Sequence, residues 1–131
     1  MERSEDWLTE AKGDLEHGKH DKESGYYNWA CFSAQQSAEK ALKAVFKKMG
    51  AEAWGHSVED LLKELEKKYE ITEELHDAAL ELDKAYIPTR YPDAHPSGSA
   101  KDRFTKVEAG RLLDHAERLV RFSSDILSEG G

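Results

Sequence analysis

The sequence predicts an all-α fold, a five-helix up-and-down bundle. Three observations carry that prediction. Apolar residues recur every three or four positions almost throughout, no stretch of alternating β-branched residues marks a strand, and helix-capping and helix-breaking residues separate the periodic segments at short intervals. The chain has 131 residues with 19 Lys plus Arg against 27 Asp plus Glu, a formal net charge of −8 and a mean hydropathy of −0.81. These values fit a single acidic domain spanning residues 1–131. A domain of this size removes about two-thirds of its unfolded surface from water and needs no disulfide or metal to fold.

The first helix is expected from about Glu5 to Lys19, with Trp7, Leu8, Ala11 and Leu15 on one face. Asp21 through Ser24 then offer side chains that accept from the free amides of a new helix start. The second helix has the clearest pattern, with Tyr27, Cys31, Ala34, Ala38, Leu42, Val45 and Met49 in one stripe, and is expected to be central. Gly50 ends it. Ser57 with Asp60 opens a third helix in the manner of a capping box, buried through Val58, Leu61, Leu62 and Leu65. A fourth begins near Thr72, with Glu73 and Glu74 at the positive end of its dipole. Ser99 and Asp102 look like the start of the last helix, which is expected to bury Val107, Leu112, Leu113, Ala116, Leu119, Val120, Ile126 and Leu127.

Several classes fall away. No run approaches the ~20 apolar residues of a membrane span, and the N-terminus lacks the basic start and apolar core of a secretion signal. The chain is therefore expected to start near Met1, to reside in the cytoplasm and to meet no membrane. Cys31 is the single cysteine, which excludes an internal disulfide and a Cys-based zinc site. His17 and His20 share a helix face without further ligands at metal spacing, so neither a metal nor a cofactor is expected. One Asn, two Gln and 35% charged residues resemble a thermophile's composition.

The helical pattern breaks between Tyr86 and Gly98. Pro88, Pro92 and Pro96 fall there at four-residue intervals and stop any helix from crossing. The same loop gathers Arg90, Tyr91, Asp93 and His95 between Tyr86 and Ser97. A guanidinium matches phosphate oxygens and an imidazole exchanges protons near neutral pH, so this pair suits phosphodiester chemistry. Charge favours the same place: from Lys84 to Arg111 there are six basic residues, including Lys101 and Arg103, against three acidic ones. The remaining 13 basic and 24 acidic residues lie elsewhere. On the second helix Lys40, Lys43, Lys47 and Lys48 form another basic strip. Trp7, Trp29 and Trp54 are too scattered in sequence to form a stacking platform and are expected in the core or at a dimer contact.

Three stretches, SGYYNWACFSAQQSAEKALKAVF, GHSVEDLL and YIPTRYPDA, resemble the HEPN family, the higher-eukaryote and prokaryote nucleotide-binding domain. Together with the helix order they cover most of the chain. The resemblance implies a homodimer whose paired loops face one cleft, and a separately encoded minimal nucleotidyltransferase as partner in a toxin–antitoxin-like arrangement. It also implies a nucleotide or single-stranded RNA as ligand. Ribonuclease members carry an Arg, four to six residues, then a His, and Arg90 and His95 fit with four residues between them. By this likeness His95 is general acid or base in metal-independent RNA cleavage, Arg90 stabilises the phosphorane and Asp93 orients either one. Arg90, Tyr91, Lys101 and Arg103 are the expected phosphate contacts. Where toxin members often place a modifiable Tyr two residues after the His, this chain has Ser97. The competing reading is a catalytically silent helical accessory subunit; a small-molecule binder with its pocket between helices is the third.

Overall fold

The computed structural model describes residues 2–86 and 97–129 of the chain. Arg90, Tyr91, Asp93 and His95 therefore lie outside the described residues. The described part contains five α-helices and no strand: α1 (Ser4–Glu23), α2 (Tyr27–Met49), α3 (Val58–Leu65), α4 (Glu73–Lys84) and α5 (Lys106–Glu129), with one 3-10 turn, Ala100–Arg103, before α5. The all-α prediction holds, and α2 has the bounds its periodicity gave.

Helix α2 is central because it packs against all four other helices and the 3-10 turn. Its side toward α1 is built from small residues, with Ala30, Ser33, Ala34, Ser37, Ala38 and Ala41 all buried. Small side chains let two backbones approach closely, and Ser37 Oγ donates to the Ala11 carbonyl of α1 at 2.6 Å. Gly18 is required at the crossing of α1, α2 and α5: a Cβ there would stand 2.7 Å from Leu113 Cδ2 and 3.1 Å from Ser33 Cβ. Ser37 meeting Ala11 and Gly18 meeting Ala30 place α1 and α2 antiparallel.

Helix ends show where local signals compete. Helix α1 runs four residues past the expected Lys19, so Asp21 through Glu23 are helical and Asp21 to Ser24 do not cap α2. Tyr26 N–H donates instead to the Asp21 carbonyl at 2.8 Å, and Gly25 turns the chain at φ +85°. Gly50 closes α2 in the left-handed conformation, with φ +70°. Helix α5 starts at Lys106, later than expected, because two capping sequences stand in tandem. In the first, Ser99 Oγ bonds to Asp102 Oδ2 and caps no backbone amide. In the second, Thr105 Oγ1 accepts from Glu108 N–H while Glu108 Oε1 accepts from Thr105 N–H, both at 3.0 Å. The longer glutamate completes the reciprocal pair and the 3-10 turn fills the interval. Val107 accordingly sits in the first turn, 75% exposed rather than buried.

Helices α3 and α4 form an antiparallel pair. Ser57 Oγ accepts from Asp60 N–H at 3.1 Å as expected, but the stronger cap comes from α4. The Asp83 carboxylate accepts from Ser57 Oγ (2.8 Å), Val58 N–H (2.7 Å) and Glu59 N–H (3.1 Å). A carboxylate here both satisfies unpaired amides and meets the positive end of the α3 dipole.

Candidate functional site

The segment bearing Arg90 and His95 leaves the described structure at Tyr86 and re-enters it at Ser97. Both ends are anchored by side chains. At the upstream end Asp83, three residues before Tyr86, fixes the last turn of α4 to the start of α3. The Tyr86 ring then lies parallel to the His56 imidazole, with centroids 5.2 Å apart and 15° between planes, and tilts against Phe32 of α2 at 6.3 Å. His56 presents Nδ1 to the Glu39 carboxylate at 3.1 Å. A carboxylate only accepts, so Nδ1 carries the hydrogen.

Glu39 is the only acid on α2, and its side chain is 6% exposed. Burying a carboxylate costs free energy unless its oxygens are partnered. Lys43 Nζ lies 2.9 Å from one oxygen, the Gln35 amide donates to the other at 3.3 Å, and His56 bridges both. Gln35 also donates to the His56 carbonyl at 2.9 Å, so backbone and ring of His56 are both held. A continuous path runs from the buried face of α2 through Glu39 and His56 to Tyr86. His56, just before the Ser57 cap, thus fixes the entry to α3 through its bonds to Glu39 and Gln35. The sequence signal of Glu39 is a lone acid within an otherwise uncharged buried stripe.

At the downstream end Arg103 donates from Nε to the Ser97 carbonyl at 2.7 Å and from Nη2 to Ser97 Oγ at 2.6 Å, with a further Nη2 contact to the same carbonyl. Gly98, at φ +77°, turns the chain between them. Lys101 places Nζ 4.8 Å from the centroid of the Tyr26 ring. Of the expected phosphate contacts, the structure therefore puts Arg103 on Ser97 and Lys101 over an aromatic face; Arg90 and Tyr91 fall among the undescribed residues.

Beside this end a cleft of about 410 Å³ opens between α4 and α5, lined by Glu81, Lys84, Phe104, Glu108 and Arg111 among others. Arg111 Nε lies 2.8 Å from Glu81, and His115 Nε2 3.4 Å from it. Burial raises the Glu81 carboxyl, but the Arg111 hydrogen bond and the charges of Arg111 and His115 outweigh it and hold the group below the ordinary range. Cys31 lies buried, and desolvation pushes its thiol up to about 12, which removes it as a nucleophile. The described residues contain no group of three or more His, Cys, Asp or Glu arranged to hold a metal ion. None of the described helices is long and apolar enough to cross a membrane.

The HEPN domain model matches residues 4–126. Among solved structures, TT1696 from Thermus thermophilus is 47% identical, with 95% of this chain and 98% of that one covered and a TM-score of 0.93. A HEPN domain protein of Thermotoga maritima, tm0613, is 58% identical over 93% of this chain and 97% of its own, with a TM-score of 0.78. ST0689, an archaeal HEPN homologue, is 36% identical over 95% and 98%, with a TM-score of 0.80. No curated protein matches the chain significantly. The likeness thus extends from the motifs to the whole helical framework, and the chain belongs to the HEPN domain family.

Proposed function

We propose that this protein binds the phosphate of a nucleotide or single-stranded RNA through the loop carrying Arg90 and His95, as a homodimer acting with a separately encoded minimal nucleotidyltransferase. The observation that carries the reading is the double anchoring of that loop. Tyr86 on the His56–Glu39 pair and Ser97 on Arg103 hold its two ends independently. A segment with fixed ends and three prolines loses less entropy when its side chains close on a ligand. The loop also lies in a stretch of net positive charge within an acidic chain, which favours an anionic ligand.

With RNA bound, the same groups support cleavage. His95 takes the proton of the ribose 2′-hydroxyl, the 2′-oxygen bonds to phosphorus, and the bond to the 5′-oxygen breaks as His95 hands that proton to the leaving oxygen. Arg90 bears the charge on the phosphorane oxygens and Asp93 orients the imidazole or the guanidinium. The products are a 2′,3′-cyclic phosphate and a 5′-hydroxyl, and no metal enters any step.

Incubation of the purified protein with single-stranded RNA in chelator tests this chemistry. Cyclic phosphate ends are expected, lost in His95→Ala without a change in helical content. Cleavage that persists in this variant removes His95 from the mechanism; no cleavage by the native protein, with mononucleotide still bound, leaves a binding module. Absence of both favours the accessory-subunit reading.

A further inference from the structure

We infer that the cleft between α1 and α2 floored by Trp29 and Phe32 is a subsite for the planar heterocycle of a nucleotide. The inference rests on the phosphate-binding reading of the Arg90 loop and adds the part of the ligand that the loop does not hold.

Trp29 is 46% exposed, yet its indole is not loose. Phe32 meets it edge to face, with centroids 6.1 Å apart and planes at 80°. This holds in place a large aromatic ring that stays partly exposed, and base stacking uses such rings. The cleft holds about 240 Å³, less than the ~300 Å³ at which drug-sized pockets begin, so it suits one ring system rather than a whole nucleotide. Phe32 also touches Tyr86, the residue that leads into the Arg90 loop. One aromatic side chain therefore belongs both to the cleft and to the anchor of the loop.

The polar lining selects a neutral ring over an anion. Lys40 Nζ is already paired with Asp14 at 3.0 Å, with Glu10 nearby at 3.9 Å, and His17 lies 3.6 Å from Asp21. The cations are thus locally balanced and offer little to a phosphate. Ser33 and Gln36 supply uncharged groups at the cleft; Gln36 donates from Nε2 to Gln35 Oε1 at 2.7 Å, which pins the amide and leaves its own Oε1 as an acceptor. An acceptor beside an aromatic face matches the exocyclic amine of a base. Although Trp7, Trp29 and Trp54 are scattered in sequence, Trp29 needs only Phe32, one turn on, to form a platform.

Replacing Trp7 and Trp54 by Phe in the full chain leaves Trp29 as the sole indole, and its emission reads the cleft directly. Adenosine and adenosine 5′-monophosphate are expected to quench it, whereas ribose 5-phosphate binds without quenching. In otherwise native protein Trp29→Ala weakens the monophosphate about tenfold and leaves ribose 5-phosphate unchanged, and Trp29→Phe restores most of the loss. Adenosine that never perturbs the emission overturns the subsite. So does a Trp29→Ala variant that binds the monophosphate normally, including one that only changes the oligomeric state. Ribose 5-phosphate tests the loop alone: its failure to bind, with adenosine still quenching, would refute the phosphate reading and sustain the cleft.

Discussion

The two ends of the Arg90 loop are fastened in different ways. Upstream, Tyr86 is tied to the core: Asp83 caps α3 through partly buried bonds, and His56 leads to a carboxylate enclosed within α2. Downstream, the bonds from Arg103 to Ser97 and from Ser99 to Asp102 are all exposed. Water competes more fully for the second set than for the partly buried first, so similar numbers of hydrogen bonds differ in worth. The upstream end is therefore part of the fold and the downstream end is a surface latch, which places any adjustment to a ligand on the Ser97 side.

Substitutions break this asymmetry in order of burial. Asp83→Ala leaves the start of α3 without its main acceptor and is expected to cost about 3 kcal/mol in urea denaturation, with loss of the Tyr86 contact. Glu39→Ala strands Lys43, the Gln35 amide and His56, and is expected to cost about 2 kcal/mol by the same measurement. If either variant matched the native protein, the upstream anchor would be no more integral than the latch.

A smaller, pH-dependent effect sharpens the upstream side. His76 of α4 bonds to Glu59 of α3 at 2.5 Å and to Glu66 at 2.7 Å. The bond to Glu59 first, then that to Glu66, raises its pKa in the folded protein despite some desolvation. A raised folded-state pKa stabilises fully below the unfolded value, about 6.5, and the gain disappears as pH rises through the folded value. The urea midpoint of the native protein is thus expected to fall relative to His76→Gln on going from pH 6 toward alkaline pH. Parallel curves would remove the clasp from the account. Arg103→Ala is the mildest case, with stability expected within about 0.5 kcal/mol of native because its bonds are exposed. Mononucleotide affinity is nevertheless expected to fall several-fold, read by calorimetry, since the loop loses its downstream hold.

What the sequence made legible follows from the reach of each signal. Tyr27 to Met49 form a long uninterrupted stripe, so both ends of α2 could be read, with Gly50 confirming the stop. The start of α5 could not, because Ser99–Asp102 and Thr105–Glu108 present the same local pattern and only the second closes reciprocally. Arg90 and His95 share one loop and stand out as a motif. The residues that anchor that loop do not: Glu39, His56 and Tyr86 come from three elements and meet only after packing. Arg103 stands out in sequence for its charge, which suggests a ligand; its structural role, bonding through Nε and Nη2 to Ser97, has no local sequence signal.

Calorimetric titration of the native protein and of Arg90→Ala with adenosine 5′-monophosphate tests the central claim most directly. The account predicts binding by the native protein and at least tenfold weaker binding by the variant, with thermal unfolding unchanged. Equal affinity in the two would contradict it.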